Sequence, residues 1–354
     1  MRSASLMPCL LSLPLVALVP GLALAAPTVT VTVDPAAGSA LASQLGVSLD
    51  QLSAQLGEQI ASGLGVLEPE KYVRALTDAQ AFSNKGLGVD YASNPTVFVV
   101  GVAANFAMSL GDKGLGERYA EHPVVGVAPN ISAHAGLNLG FLGGDRFMLF
   151  GNYFAQGLKV NEFDGDLYNI GFHLQAKFFA APDDGNFLFK WGGFNLTSGY
   201  EHSRLTMELK KEFTTNAPLT GNTSGVSADA SFTGTGTYTI TTTSEAIPIE
   251  LTTNIRLLYV LTLFAGAGYD IQLGKGTMDV KMQGTMSAKN PLDGSDLSLG
   301  TATIDVTQDA KPSPGRFRYM AGLQVNLSVI KVFVQMNAIP NAAVSAGAGV
   351  RVAW

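Results

Sequence analysis

Apolar and polar positions along this chain follow one spacing near its start and another over most of its length. Leu41, Leu45, Leu49, Leu52, Leu56, Ile60 and Leu64 recur every three or four residues, so they share one stripe of a helical section. Ser48, with Gln51 three residues on, has the spacing of a capping box. A second helix is predicted near LEPEKYVRALTDAQ, with Pro69 in its first turn and Tyr72, Leu76 and Ala79 on one face. A strand-like run, PTVTVTVDP, precedes the helices, and SNKGLGVDYASNP ends the helical pattern.

From about residue 95 the period becomes two, the repeat of a strand with unlike faces. In NISAHAGLNLGF, Ile131, Ala133, Ala135, Leu137, Leu139 and Phe141 alternate with Ser132, His134, Gly136, Asn138 and Gly140. In LYNIGFHLQAKF, Tyr168, Ile170, Phe172, Leu174, Ala176 and Phe178 alternate with Asn169, Gly171, His173, Gln175 and Lys177. LTLFAGAGYDIQL and RFRYMAGLQVNLSV repeat the pattern, and these strands exceed the usual five or six residues or so.

A soluble sandwich would turn such apolar faces into a core. A membrane barrel would turn them to lipid, and three observations favour it. Tyr168 and Phe178 bracket an apolar face ten residues long. A strand tilted by about 45° rises roughly 2.3 Å per residue, which sets them about 23 Å apart, near the ~25 Å apolar band of such barrels. The opposite face holds Gly, Asn, Gln and scattered charges, as a barrel lumen does. Short turns also alternate with long polar connections. Walking back from Trp354 placed at the periplasmic end, SVIK, RLLY, APDDGN and LGGD fall on that side and are short. The long connections, at about 285–314, 211–234 and 111–123, fall on the other. Ten strands or so, between roughly eight and fourteen, satisfy this parity. A phase slip between Phe187-Phe189-Trp191 and Phe194-Leu196 predicts a β-bulge at Gly192-Gly193. The Thr/Ser/Gly-rich stretch after the fifth strand reads as an exposed hairpin or surface loop.

Composition fits an apolar chain without helical spans. Of 354 residues, 47% are hydrophobic and only 14% charged, against roughly 25% charged in a typical soluble protein. No internal run approaches the ~18 apolar residues of a membrane-spanning helix. The net charge of −6 excludes the basic footprint of a nucleic-acid binder. Arg2 followed by an apolar run ending in Ala23-Leu24-Ala25 predicts a signal peptide over residues 1–25, cleaved before Ala26. The one cysteine, Cys9, lies inside it, outside any lipidation pattern. The mature chain therefore has no disulfide, cysteine nucleophile or thiolate metal site, and no cofactor motif appears. The expected organisation is a helical segment over 26–93, periplasmic or plugging the barrel mouth, followed by a barrel over 94–354.

The last stretch, VSAGAGVRVAW, alternates Val350, Val352 and Trp354 with Gly349, Arg351 and Ala353. It resembles the terminal strand of Gram-negative outer-membrane β-barrel proteins, although a final phenylalanine is commoner there than tryptophan. The resemblance covers the architecture of roughly residues 95–354. It implies an all-β, antiparallel transmembrane barrel in the outer membrane of a Gram-negative bacterium. It also implies partners in the lipid bilayer and, through the last strand, the barrel-assembly machinery. Tyr168, Phe178, Trp191 and Trp354 are expected to anchor the barrel at the membrane interfaces.

Candidate chemistry is sparse. The histidines are His122, His134, His173 and His202, and His134 and His173 fall on polar faces. Some outer-membrane enzymes use a His–Ser pair, and Ser132 shares a face with His134, but no serine sits in such a motif. The reading adopted for His134 is a lumen histidine hydrogen-bonded to its neighbours, with no catalytic residue. Lys177, Glu201, Glu250, Arg256, Asp270, Arg318, Lys331 and Arg351 complete the lumen-lining set. Barrels of about eight strands are filled by side chains, whereas porins have about sixteen. Mixed signs in a barrel of about ten strands thus favour an interior partly filled by ion pairs over a wide pore. The function expected is a channel or transporter for small polar or amphipathic molecules. The alternatives are a surface-interaction barrel acting through its Thr/Ser/Gly-rich outer loops and, third, a lipid-modifying enzyme.

Overall fold

Residues that alternate in polarity need two surroundings, and a closed sheet supplies them as an outside and a lumen. The computed structural model describes residues 28–65, 69–110, 125–142, 146–160, 162–179, 188–222 and 227–354. The expected signal peptide over 1–25, His122 and the stretch APDDGN lie outside the described residues. A short strand, β1 (Thr28–Val33), leads to α1 (Pro35–Leu45), α2 (Leu49–Gly65) and α3 (Pro69–Ser83). The strands β2 (Phe98–Ser109), β3 (Gly126–Asn138), β4 (Phe147–Val160) and β5 (Phe163–Phe179) follow. Then come β6 (Phe189–Thr220), β7 (Ser227–Leu257), β8 (Leu261–Lys289) and β9 (Asp296–Ala310). The chain ends with β10 (Gly315–Leu327), β11 (Ile330–Ile339) and β12 (Ala343–Ala353).

The sheet is antiparallel and closes on itself. Sequential neighbours pair from β2 to β8, then β8 with β10, β10 with β11, β11 with β12, and β12 with β2. The ring has ten strands, closed where Ala353 lies opposite Val99 and Ala343 opposite Ser109. Its polarity is the reverse of a soluble protein. Val102, Phe106, Phe172 and Leu174 are exposed outside, while Asn105, Ser132, Gln175 and Gln335 are buried inside. The register shifts between Trp191 and Phe194, with Gly193 at φ 83°, where the sequence changes phase. Short turns mark one end of the ring. Leu258 and Tyr259, at φ 51° and 59°, take the left-handed conformation that a two-residue hairpin twist requires. The backbone of Trp354 also sits at this end, donating to the carbonyl of Phe98 at 2.9 Å.

The other end is taller than the sequence suggests. The stretch at about 211–234, read as an exposed hairpin or surface loop, is a hairpin, and the connection at about 285–314 is mostly strand. β6 and β7 stay paired from Phe189–Leu257 to Thr220–Ser227, and β8 and β9 continue together to Lys289–Asp296. β9 pairs with the far half of β8, and β1 adds to the free edge of β9. The inward face of this extension carries Phe232, Met278, Met282, Leu299 and Ile304, which form one buried core with Leu41, Leu45, Leu52 and Leu56 of α1 and α2. Gly46, at φ 68°, ends α1. Ser48 and Gln51 then make the reciprocal cap of α2, at 2.9 and 3.2 Å.

Parity places the helical segment beside the short turns, but α1 and α2 lie at the opposite end, beneath the long hairpins. The leucine stripe finds its apolar partner there, in the inward face of the β6–β9 extension. From that end α3 descends into the ring, where Thr77 abuts Gly276 and Phe82 packs with Ala107 and Ile339. Residues 84–94 continue down the lumen, nearly all buried, and Val97 reaches the short-turn end, bonding the carbonyl of Trp354 at 2.8 Å. The chain thus passes through the ring before it begins to build it.

Candidate functional site

The contact between this threaded segment and the wall combines buried charge with small apolar clusters, Leu87 against Phe333 and Val89 and Tyr91 among Met148, Phe150, Phe264 and Met320. Lys85 is fully buried; its Nζ lies 2.5 Å from Glu201 Oε2 and 3.3 Å from Asp270 Oδ1. Arg318 stands on the other side of Asp270. Its Nε donates to Asp270 Oδ2 at 2.8 Å, its Nη1 to Asn337 Oδ1 at 2.9 Å, and its Nη2 pairs with Glu250 Oε1. The Tyr91 hydroxyl donates to Glu250 Oε2 at 2.7 Å, and His173 Nε2 lies 3.3 Å from Glu201 Oε1. One hydrogen-bonded cluster thus joins six wall strands, β5 to β8, β10 and β11, to the threaded segment.

A second cluster sits nearer the short turns. Arg351 Nη1 is 3.2 Å from Asp90 Oδ1, and its Nε donates to Gln324 Oε1 at 3.0 Å. Its guanidinium lies 3.9 Å over the Phe333 ring, a geometry in which the ring quadrupole favours the cation. Asp90 also accepts from the backbone N–H of Ala92 and Ser93, at 2.9 and 2.8 Å, which fixes a tight turn. Arg256 Nη2 donates to the Ser93 carbonyl at 3.1 Å. Across both clusters, three buried cations (Lys85, Arg318, Arg351) face four buried carboxylates (Asp90, Glu201, Glu250, Asp270). Each costs several kcal/mol or so to desolvate, which is why every one has an opposite neighbour.

The lumen candidates therefore divide. His173, Glu201, Glu250, Asp270 and Arg318 come together around Lys85, and Arg351 joins Asp90. Lys331 is half-buried at the short-turn end, where it donates to the Ser328 carbonyl. Lys177, also half-buried, pairs through its backbone N–H with Arg146 O at 2.8 Å. His134 departs from expectation: it is buried, yet neither ring nitrogen has a hydrogen-bond partner among the described residues. It lies opposite Gly101 and Asn152, and the side chain of Asn152 turns to Ser132 instead.

The other half of the network, Lys85, Asp90 and Tyr91, lies in SNKGLGVDYASNP, which has no period and so shows no face. Register held one signal. Among wall residues, Glu250 and Asp270 share Arg318 while Glu201 has only His173 beside it, and three carboxylates call for a second cation. Glycines let the segment lie close to the wall. A Cβ at Gly86, itself at φ 79°, would fall 1.9 Å from Gln335 Nε2.

Outside the ring, Phe178 and Trp354 are exposed and Tyr168 is half-buried, its ring edge-on to Tyr153 at 5.9 Å. The half-buried Trp191 indole donates to Thr253 Oγ1 at 2.8 Å.

The fold is similar to those of solved outer-membrane barrels. The outer membrane protease OmpT from Escherichia coli matches at 8% identity and a TM-score of 0.36, over 75% of this chain and 99% of that one. Neisserial surface protein A matches at 13% identity and a TM-score of 0.23, over 75% and 100%. The CymD monoaromatic hydrocarbon channel matches at 8% and 0.24, over 79% and 98%. No curated protein matches the sequence. A family model described as Lsa36-like matches residues 23–354.

Proposed function

The chain belongs to the Lsa36-like family, and we propose that it is an outer-membrane channel for small polar or amphipathic molecules, closed at rest by its own residues 69–94. The observation that carries this reading is how much buried charge and amide the contact between segment and wall holds beside its apolar clusters. A permanent filler is most stable when it packs apolar against apolar, because buried ion pairs often fail to repay their desolvation. Here the wall offers Asn105, Asn130, Gln175, Gln335 and Asn337, and the segment answers with Lys85, Asp90 and Tyr91. Such surfaces exchange protein hydrogen bonds for water when they part, and leave a wettable lumen.

Export by a signal peptide over 1–25, insertion through the barrel-assembly machinery, and a non-catalytic role belong to the same reading. So does the orientation, with the short turns and Trp354 in the periplasm and the long hairpins outside. Tyr168, Phe178, Trp191 and Trp354 then anchor the barrel at its interfaces. A surface-interaction role is the second reading, favoured by the cored module that β1, α1 and α2 form with the β6–β9 extension.

Single-channel recording in planar bilayers tests the first reading. The full mature chain is expected to open rarely, and Lys85→Met or Arg351→Met to open more often. Silence from all three, with folding verified by heat-modifiable migration, overturns the channel and favours the surface role.

A further inference from the structure

The sheet that runs on beyond the ring has two edges among the described residues, and they differ. One is β6 from Lys210 onward, where its pairing with β5 has ended. It carries Lys210, Lys211, Glu212 and Pro218, charges and a proline of the kind that discourage a further strand. The other is β1, which pairs with β9 alone. Its sequence, TVTVTV, is β-branched throughout and has neither charge nor proline. The Asp34 N–H donates to the Leu299 carbonyl at 2.7 Å. Alternation along β1 therefore aims the amides of Thr30 and Thr32 at β9 and turns those of Val29, Val31 and Val33 to the open side.

α2 lies beside this edge. Its first residue, Leu49, sits at the Val33 end, since a Cβ on Gly38 would touch both. Its Gly57 lies by Val31, where an added Cβ would be 3.8 Å from Val31 Cγ2. The helix thus runs back along the strand, and helix and strand together line a groove of about 540 Å³. Val29 and Val31 supply the strand side, and Ser53, Ala54 and Gly57 supply a helix side of small residues that keeps the groove open. Asp50 and Glu58 stand toward its two ends. Both are exposed, and neither has an ion-pair partner among the described residues.

We propose that this groove binds an extended peptide of another protein, which adds to β1 as a further strand and carries two basic residues four positions apart. Such a strand bonds the outward amides and carbonyls of Val29, Val31 and Val33, the mode in which main chain gives affinity and side chains give specificity. Asp50 and Glu58 are separated along the helix by about 12 Å. On a strand, side chains at i and i+4 share a face and stand ~13–14 Å apart. Lysine or arginine at those positions meets the two carboxylates, and an apolar residue at i+2 meets Ala54 and Gly57. Exposed ion pairs are individually weak, so they select register and partner more than they add affinity. A second copy fits less well, because pairing β1 with β1 brings that copy's Asp50 and Glu58 toward the same two carboxylates. The site lies beyond the ring and does not rest on the channel reading.

The test uses the full mature chain in lipid nanodiscs, which leave both sides of the membrane accessible. The probe is a fluorescein-labelled nine-residue peptide of alternating valine and threonine, with lysine at its third and seventh positions. Fluorescence anisotropy should show saturable binding that weakens as salt is added. The same peptide with glutamate in place of both lysines should not bind. Asp50→Asn combined with Glu58→Gln, both at exposed positions, should weaken the lysine peptide about tenfold. Val31→Pro should abolish binding, because the lost N–H faces the open side and the pairing of β1 with β9 does not use it. Unchanged resistance of the β6–β7 hairpin to limited proteolysis shows that the module is intact; if Val31→Pro disturbs it, the neutral double variant decides. Absence of saturable binding, equal binding of the glutamate peptide, or binding unchanged in the intact variants overturns the site. Self-association through β1, lost in Val31→Pro and indifferent to the peptide, overturns the peptide in favour of a second copy.

Discussion

Lys85 shows how much depends on one side chain. It is buried between Glu201 and Asp270, and its removal leaves two carboxylates in the lumen with less positive charge to face. Breaking a buried pair from one side typically costs about 3–5 kcal/mol. Lys85→Met should therefore lower the urea midpoint of unfolding by a corresponding amount. Adding Glu201→Gln should restore part of the loss, because the stranded charge goes with it. Equal midpoints for wild type and Lys85→Met would mean that the cluster is hydrated and weak. Parity alone placed Glu201, Glu250, Asp270, Arg318 and Arg351 on the inner face. It had no purchase on Asp90 or Tyr91, whose backbone follows the turns of a glycine-containing segment.

Among the elements, the four long strands and the two outer helices depend on each other. β6, β7 and β8 run on beyond the ring and with β9 make a sheet with one apolar face, and such a sheet is stable only when that face is covered. α1 and α2 cover it, with Leu52 and Leu56 fully buried against it. Leu52→Ala should cost about 2–5 kcal/mol locally. It should make the β6–β7 hairpin an early site of limited proteolysis while the ring still resists heat in detergent. Ser48→Ala, which loses the cap of α2, should do the same more weakly, at about 1 kcal/mol. The extension was hard to read because threonine, serine and glycine fill the positions between Phe232, Tyr238 and Met278. The apolar face is present, but its polar counterpart carries the turn-forming composition of a loop. The helices were legible as elements. Their covering partner was not, since a leucine stripe fits any apolar surface.

At the scale of the molecule, strand number and the division into short and long ends follow from alternation and parity, and the ring has them. The path of the N-terminal segment does not follow, because a chain outside the periodic region leaves no register to count. That path predicts a measurable topology. With the long hairpins outside, an epitope inserted immediately before Thr28 should bind antibody on intact cells. Binding only after the outer membrane is permeabilised would reverse the orientation proposed above.

The threading also constrains assembly and motion. The ring closes where β12 meets β2, its last and first strands, so closure must enclose a segment synthesised before any wall existed. Once closed, that segment is held above the ring by β1 on β9 and below it by Val97 on Trp354. It behaves less like a cork than like a cord drawn through a bead and knotted on both sides. It can slacken, and any aperture it yields is a crescent between cord and wall, narrower than the ring itself.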